Sequence, residues 1–510
     1  MSGTISHHLF GIAFSVLAFF VFGRGIVRKA NGKDFQPLWA FLLILFAISF
    51  QFIHGSFSIM GRLSNLLLDF GIGMTLAAGY LAINRERAQL FFVPGLLAIV
   101  FGGVTSLFNF CIDSFTGSIS PDKNTIELLV ELGPDDQLAE IQPILKKYGA
   151  KAERAFPNVD LSEDEDLAQY YSVYVDVSRR DPLMMELEND PENVDQFDIN
   201  HPISIVQPVK GADPKTPVKF LADDPYLANQ WYADKLNYNS VYQFLKEHKP
   251  AKKVKVAIVD TGVDNGHEDI SGVYQKSGGA GDNDKHSHGT HCAGLAGAAT
   301  NNGKGVGSLN WDGEFITLSG YPALDDQGRG TDKKVAKAII DAAEGGADVI
   351  SMSLGGFSPF GAPKAQVDAI KYARKLGAVV VVAAGNSNDD AKRYSPANIE
   401  GVIVVSAVDE NFGKAVFSNT NTSLKMPIAA PGVNILSSVP GSQYQSYNGT
   451  SMATPIVSGL VGIMRSLNPK LTTDDIYRIL NETGTVVNDS ERIGKVINPQ
   501  AAITAAISAQ

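Results

Sequence analysis

Cysteine and concentrated positive charge are both scarce in this chain. Its 510 residues include only 2 Cys, too few for a disulfide framework or a four-thiolate metal site. Asp and Glu outnumber Lys and Arg by 54 to 43, for a net charge of -11, and no long basic run is present. This balance argues against a nucleic-acid partner bound through its phosphates. The length of 510 residues exceeds one usual hydrophobic core, so we expect several domains.

Four long apolar stretches occupy the first quarter of the chain. They cover residues 9–27, 38–59, 63–83 and 90–112, and each is long enough to cross a hydrocarbon core of about 30 Å as a helix. A cleaved signal peptide is the alternative for the first stretch, but no Lys or Arg precedes it and three more stretches follow. The sequence therefore predicts a four-span transmembrane region, residues 1–115, in contact with membrane lipid.

Basic residues between these stretches predict the orientation of the region. Four Lys or Arg residues lie at the end of the first span or directly after it, and two lie between spans three and four, whereas the opposite side has Arg62 and Lys123. Lys and Arg are enriched on the cytoplasmic side of membranes. We therefore expect a multi-pass cell-membrane protein whose two termini, and all residues after 113, are extracytoplasmic.

Two ionisable residues, His54 and Asp69, lie near the predicted outer ends of spans two and three. An ionisable group inside a membrane is a functional hypothesis by default, and these two side chains can pair between helices. The alternative interpretation places both at the interface, where they reach headgroups or water. One span would suffice as an anchor, so a sensory role or a membrane-protein partner for the four-helix bundle stays open.

The middle of the chain, residues 122–206, has the pattern of a small α+β unit. TIELLVEL, YYSVYVDV and VDQFDI are typical of strands, whereas QLAEIQPILKKYG and DPLMMELENDP have helical character. The following QPVKGADPKTPVK has three Pro and no apolar periodicity. We therefore predict an exposed linker at residues 207–221.

Residues 222–510 alternate buried strands with helices. VKVAIVD, ADVISMSL, GAVVVVAAG and GVIVVSAV are nearly continuous apolar runs, typical of parallel strands buried on both faces. KKVAKAIIDAAEGG and KAQVDAIKYARKLG lie between them and have helical periodicity. This order predicts an α/β fold with a doubly wound parallel sheet, whose functional groups follow the carboxyl ends of its strands.

Three polar motifs lie where that rule expects functional groups. VDTG puts Asp260 at the end of the first strand, HGTHCAG begins a helix with His288, and NGTSMATP puts Ser451 at the start of an apolar helix. Acyl transfer needs a hydroxyl nucleophile, an imidazole that removes its proton, and a carboxylate that orients the imidazole. All three groups are present, in the order Asp, His, Ser.

With AAGN between the second and third motifs, residues 222–508 closely resemble the subtilisin-like serine proteases. The resemblance implies a subtilisin-like fold and a serine endopeptidase that acts on a protein or peptide substrate. It implies that Asp260 orients His288, which acts as general base and then acid, and that Ser451 is the nucleophile. Asn386, which ends AAGN, matches the side-chain donor to the oxyanion.

The resemblance also implies residues that bind substrate and metal. An extended substrate would lie along backbone, and the walls of its primary pocket match Ser353, Leu354, Gly355, Gly356, Ala383, Ala384 and Gly385. The short loop after Asn386 is expected to bring Tyr394 near the pocket floor. Calcium prefers six to eight oxygen ligands, and the family's strong site matches Asp224, Asp269, Ala299, Asn302, Lys304 and Val306. The alternative there is a Gly/Asn-rich turn without metal.

The unit at residues 122–206 resembles the family's inhibitory propeptide in pattern and position. This implies either a zymogen, cut between about Val206 and Phe220, or a permanent spacer in a tethered protease. Two functions therefore compete: a membrane-anchored endopeptidase for extracytoplasmic proteins, and a catalytically silent or self-cleaving module that serves a membrane sensor or scaffold. Retired enzymes commonly lose a triad or oxyanion member, and all four are present here, which favours the endopeptidase.

Overall fold

The computed structural model describes residues 124–205, 209–210, 218–278 and 280–509, which belong to one compact unit, Ser118–Gln510. The predicted four-span region, with His54 and Asp69, lies outside the described residues. Within the described ranges, no helix combines the length and the apolar character that a membrane crossing requires.

The first part of the unit, which we call the N-terminal module (residues 124–205), has a four-stranded antiparallel sheet in the order β2-β3-β1-β4. Its predicted strands and helices are confirmed. The edge strand β2 was not predicted, because its residues KAER alternate between exposed and half-buried and give no apolar signal. The elements are β1 (Thr125–Leu132), α1 (Leu138–Tyr148), β2 (Lys151–Arg154), α2 (Glu165–Ala168), β3 (Tyr170–Asp176), α3 (Arg180–Glu188) and β4 (Val194–Ile199).

The rest of the unit, which we call the catalytic part, is built on a six-stranded sheet in the order β15-β14-β12-β10-β7-β8. All neighbouring strands pair in parallel, as predicted. The strands are β7 (Val254–Asp260), β8 (Ile316–Pro322), β10 (Val349–Met352), β12 (Val379–Ala383), β14 (Ile403–Val408) and β15 (Pro427–Pro431).

Helices cover both faces of this sheet, and the sheet separates two apolar cores. Alternate residues of β12 divide between them: Val379 and Val381 pack with residues of α6 and α9, whereas Val380 and Val382 pack with residues of α7 and α8. This burial on both faces explains the continuous apolar runs in the sequence. The helices are α4 (Trp231–Lys235), α5 (Tyr238–Glu247), α6 (His288–Gly297), α7 (Asp332–Glu344), α8 (Lys364–Lys375), α9 (Thr450–Leu467), α10 (Thr473–Thr483), α11 (Ser490–Ile493) and α12 (Pro499–Ser508).

Three small sheets complete the described fold, and two of them border the carboxyl end of the main sheet. Strand β5 pairs with β9, β11 pairs with β13, and β17 lies between β16 and β6. Their bounds are β5 (Pro202–Ser204), β6 (Val209–Lys210), β9 (Arg329–Thr331), β11 (Gly356–Phe357), β13 (Tyr394–Ser395), β16 (Ile435–Val439) and β17 (Gln443–Asn448).

The N-terminal module packs on helices α7 and α8 of the catalytic part. Its side chains Leu129, Phe156 and Tyr170 share one apolar core with residues of these helices. Polar groups also meet there: the backbone N–H of Lys364, the first residue of α8, donates to Asp198 at 3.0 Å. The N-terminal module therefore contributes both apolar packing and a helix cap to the catalytic part.

Candidate active site

The three predicted catalytic side chains lie at the start or end of buried elements. Asp260 ends β7, His288 begins α6, and Ser451 lies in the first turn of α9. His288 Nδ1 lies 2.7 Å from Asp260 Oδ1 and 2.9 Å from Oδ2. The backbone N–H of Thr261 donates to Asp260 Oδ1 at 2.8 Å. The carboxylate thus fixes the imidazole with its Nδ1 side toward β7.

Charge and burial act in opposite directions on His288. Complete burial disfavours the imidazolium, but the charge and hydrogen bond of Asp260, together with Cys292, outweigh this effect and raise the pKa of His288 well above its usual value. An imidazole with a raised pKa is the stronger base. It is therefore suited to accept a proton from a hydroxyl.

The Ser451 hydroxyl donates to the carbonyl oxygen of Ser353 at 3.1 Å in this structure. The Ser353 hydroxyl in turn donates to the carbonyl oxygen of Ser451 at 2.8 Å. These bonds tie the first turn of α9 to the chain that follows β10. Transfer of the Ser451 proton to His288 requires the hydroxyl to turn about its Cα–Cβ bond, a change between ordinary rotamers.

Two N–H donors converge beside Gly449. The side-chain oxygen of Asn386 accepts bonds from the backbone N–H and the hydroxyl of Thr450, both at 2.9 Å, which directs its Nδ2 group away from Thr450. A Cβ atom at Gly449 would lie 3.5 Å from both Asn386 Nδ2 and Ser451 N. A side chain at Gly449 would therefore contact both N–H groups, which are donors of the kind that stabilises an oxyanion.

The predicted pocket walls come together around Tyr394. One wall, Gly356–Phe357, pairs with β13, so that Phe357 lies opposite Tyr394. At the other wall, a Cβ on Gly385 would lie 3.9 Å from the Tyr394 ring and 2.6 Å from Asn419 Nδ2. Gly385 also has a φ of 100°, which favours glycine.

Two predicted wall residues do not face this space with their side chains. Leu354 and Ala384 are buried in the core shared with α7 and α8. The backbone N–H of Ala384 donates to Val405 at 2.9 Å, and its carbonyl oxygen accepts from Asn419 at 2.9 Å. Ala384 therefore supports the wall from behind, because both of its backbone groups and its side chain are already engaged.

A groove edge that the sequence analysis missed is occupied by the N-terminal module's own chain. Ile203 of β5 pairs with Gly330 of β9, and the N–H of Ile205 donates to the Gly328 carbonyl at 3.0 Å. On its other side, Ile203 lies 3.4 Å from the Cβ position of Gly356. The signal available in sequence was the spacing of Gly328 and Gly330 after β8. Strand β5 thus lies between β9 and the predicted wall.

The predicted metal ligands also come together. Asp224 accepts from the N–H groups of Asn301 and Asn302 at 2.8 and 3.3 Å, and Asp269 accepts from Val306 N at 2.9 Å. The Asn302 amide lies 3.4 Å from Asp269 Oδ1. Burial raises the pKa of Asp224 to about 6 and also raises that of Asp269.

This donor set fits calcium. Two buried carboxylates and one amide lie beside the loop that carries the carbonyls of Ala299, Lys304 and Val306. No N–H in the described ranges donates to these three oxygens. Carboxylate, amide and carbonyl oxygens are the ligands that calcium prefers, and a bound cation would offset the cost of burying two negative charges.

Comparison with known proteins places this arrangement in a family. Residues 251–495 match the model of the subtilase family. Thermitase of Thermoactinomyces vulgaris is 38% identical over 253 residues, which cover 48% of this chain and 86% of thermitase. Subtilisin DY of Bacillus licheniformis is 39% identical over 256 residues, which cover 49% of this chain and 90% of subtilisin DY. A solved protease of Pseudoalteromonas arctica is 29% identical, with a TM-score of 0.49, and the match covers 56% of this chain and 99% of that protease.

The parallel α/β sheet and the grouping of Asp260, His288 and Ser451 are those of a serine peptidase. The chain belongs to the subtilase family. The predicted family, the subtilisin-like α/β fold and the serine endopeptidase activity are therefore confirmed.

We expect the rate at which Ser451 reacts with a fluorophosphonate to fall as the pH decreases through the raised pKa of His288, because only the neutral imidazole accepts a proton. Asp260→Asn removes the charge that raises this pKa. The acidic midpoint should then move to lower pH, and the neutral-pH rate should fall by about 10⁴-fold. Labelling rates across the pH range measure both effects.

Asp264→Asn is the matched control. Asp264 lies four residues after Asp260, but its carboxylate accepts from the backbone N–H groups of Gly266 and Gly441. Its acidic midpoint should equal that of the wild type. An unchanged midpoint in Asp260→Asn would contradict the assigned pairing.

Proposed function

We propose that this chain is a serine endopeptidase, made as a membrane-anchored zymogen, that hydrolyses extracytoplasmic proteins. The observation that carries the catalytic assignment is the 2.7 Å contact between His288 and Asp260, together with the two donors that converge beside Ser451. The membrane anchor rests on the four predicted spans of residues 1–115. The extracytoplasmic side rests on the distribution of Lys and Arg around them.

The reaction follows from the roles proposed for these groups. The Ser451 hydroxyl attacks the peptide carbonyl while His288 takes its proton through Nε2, and Asp260 stabilises the resulting imidazolium at Nδ1. Asn386 Nδ2 and the N–H of Ser451 donate to the developing oxyanion. His288 then gives its proton to the leaving amine. Water then attacks the carbonyl of the acyl-enzyme while His288 takes one of its protons. Breakdown of this second intermediate releases the acid product, and His288 returns the proton to Ser451.

The position of β5 supports the zymogen. On one side of the site, Ile205 approaches Gly328, whose Cβ position lies 3.1 Å from His286 Nε2, two residues before His288. On the other side, Val209 pairs with Asn448, three residues before Ser451. The chain between Ile205 and Val209 therefore connects two segments that flank the catalytic groups. This narrows the expected cut to the four peptide bonds between residues 205 and 209.

We expect a membrane-impermeant fluorophosphonate, applied to intact cells that express the full chain, to label a band that is absent from Ser451→Ala. Loss of this nucleophile typically costs about 10⁶-fold in kcat, so the variant should not react. A band at 54.6 kDa would be a tethered enzyme, and a much smaller band a processed one. Labelling that requires cell lysis would contradict the orientation. No Ser451-dependent band, in folded protein with calcium, would favour the silent scaffold module.

We expect the processed protease to begin between residues 206 and 209, as read by amino-terminal sequencing. Ile205→Asp should slow the cut, because Ile205 packs against Gly328 at the groove edge. Val218→Asp introduces the same charge within the predicted linker and should leave the rate unchanged. A first residue after 209, or equal cutting of both variants, would mean that β5 does not present the scissile bond.

Calcium is the metal we propose for Asp224, Asp269 and Asn302, with the carbonyls of Ala299, Lys304 and Val306. Subtilases commonly bind structural calcium, and the donor set here has two carboxylates for one divalent ion. The ion would link the loop at residues 299–306 to Asp269 and to the chain before α4. Its expected contribution is to stability, since none of these residues touches the proposed catalytic groups.

We expect EGTA to lower the thermal unfolding midpoint of full-length Ser451→Ala protein, and added calcium to restore it. Ligand at 100 times its Kd stabilises a folded protein by about 2.7 kcal/mol. Asp269→Asn should remove most of this response. Asp312→Asn should keep it, because the Asp312 side chain accepts from the Asn301 amide at 2.8 Å and is not among the proposed ligands. Equal responses of the two variants would contradict the site.

A further inference from the structure

The loop before α6 contains two acidic residues, Asp282 and Asp284. The Asp284 carboxylate is buried and accepts an unusual number of hydrogen bonds. Asp284 Oδ1 accepts from the hydroxyl of Thr261 at 3.0 Å and from the N–H groups of His286 and Ser287 at 2.9 and 3.0 Å. Its Oδ2 accepts from the N–H and the hydroxyl of Thr290 at 2.9 and 2.6 Å. Asp284 is only 4% exposed. Five bonds therefore compensate one buried charge.

These bonds cap the helix that begins with His288. Ser287 occupies the N-cap position of α6, but its side chain makes no capping bond. The N–H of Thr290, which an N-cap side chain ordinarily satisfies, donates to Asp284 instead. The preceding N–H, of Gly289, donates to the Thr261 hydroxyl at 3.0 Å. The first turn of α6 is thus held by residues outside the helix.

Asp284 also holds a strained residue directly before His288. Ser287 has a φ of 87°, a conformation that L residues other than Gly, Asn and Asp rarely adopt. Such backbone conformations persist only where the surroundings enforce them. The N–H of Ser287 is one of the five donors to Asp284. Removing the carboxylate would allow Ser287 to relax and His288 to shift.

The hydrogen bonds around Asp284 also extend to Asp260, the partner of His288. Thr261 donates its hydroxyl to Asp284 and its backbone N–H to Asp260 Oδ1. Through Thr261, one carboxylate therefore connects the end of β7 with the start of α6. We propose that Asp284 is a positioning residue, which fixes Asp260 and His288 in register for proton transfer. This inference rests on the catalytic roles proposed above.

The test compares Asp284→Ala and Asp284→Asn in the full chain, with active enzyme counted by completed fluorophosphonate labelling. A displacement of about 1 Å at a catalytic group can cost about 10²-fold in rate. We expect kcat per labelled site to fall about 10²-fold in the alanine variant and about 10-fold in the asparagine variant, which keeps one acceptor. KM for a peptide should change little. The acidic midpoint of kcat should move to lower pH, because a longer Asp260–His288 contact raises the pKa of His288 less.

Asp282→Asn is the matched control. It removes the same charge from the same loop, but Asp282 accepts from Tyr274 and Ser277 rather than from α6. Its kcat and acidic midpoint should remain those of the wild type. Thr261→Val combined with Asp284→Asn should cost less than the two single changes added together, since both break one network.

The outcomes separate this inference from the function on which it rests. An Asp284 series that loses labelled sites or thermal stability, yet keeps the kcat and acidic midpoint of the wild type, would show a structural role only and overturn the inference. Additive losses with Thr261→Val would also contradict it. If the wild type itself has no Ser451-dependent turnover, the proposed function fails instead. Asp284→Asn retains the test if Asp284→Ala does not fold.

Discussion

The pairing of Asp260 with His288 is the contact on which the geometry of the site depends. It joins the end of β7 to the start of α6, and both side chains are almost completely buried. An ionised carboxylate in such surroundings is costly unless it is paired and hydrogen-bonded. Because β7 and α6 are each packed into the core, the two partners meet at a distance set by the fold. The packing that stabilises the sheet therefore also fixes the distance across which the two groups act.

Backbone rather than side chains defines most of the groove beside this pair. Strand β5 pairs with β9 on one side, so its backbone N–H and C=O groups find partners there, and on the other side it lies against Gly356. Main-chain pairing of this kind accepts many sequences, and side-chain pockets supply the selectivity. Tyr394 is the large side chain that lies between the two predicted walls.

Four strands of the main sheet, β7, β10, β12 and β14, were predictable because burial on both faces leaves a continuous apolar signal, as in Val379 to Val382. Its two edge strands, β8 and β15, were not predicted, because ITLSGYP is interrupted by polar residues and PIAAP is short. The catalytic motifs were predictable because their residue types and order are rare together. The short strands β5, β9, β11 and β13 were not, since two or three residues carry no periodicity and pair with distant segments. Ala384 shows a second limit. Its place beside a wall suggested a contact, but its backbone bonds and its packing turn it into the core.

The contacts between the N-terminal module and the catalytic part differ in how much they stabilise the interface. The module's ion pairs include Glu127 with Lys333 and Glu131 with Lys364, whose lysine side chains are 20% and 30% exposed. The Glu131 side chain is only 3% exposed, and burial raises the pKa of this carboxyl to about 7, so the cost of desolvation offsets much of its attraction to Lys364.

Burying an apolar side chain contributes about 1.5–3 kcal/mol, and Leu129, Phe156 and Tyr170 are all buried against the core of α7 and α8. Apolar contact therefore supplies most of the stabilisation at this interface. The polar contacts have a different effect. Because Asp198 accepts from the first N–H of α8, and Glu127 and Glu131 meet lysines of the two helices, these contacts fix the register in which the sheet lies on those helices. That register directs the chain after β4 into the groove as β5. The direction of β5 therefore depends on polar contacts that contribute little to the stability of the interface.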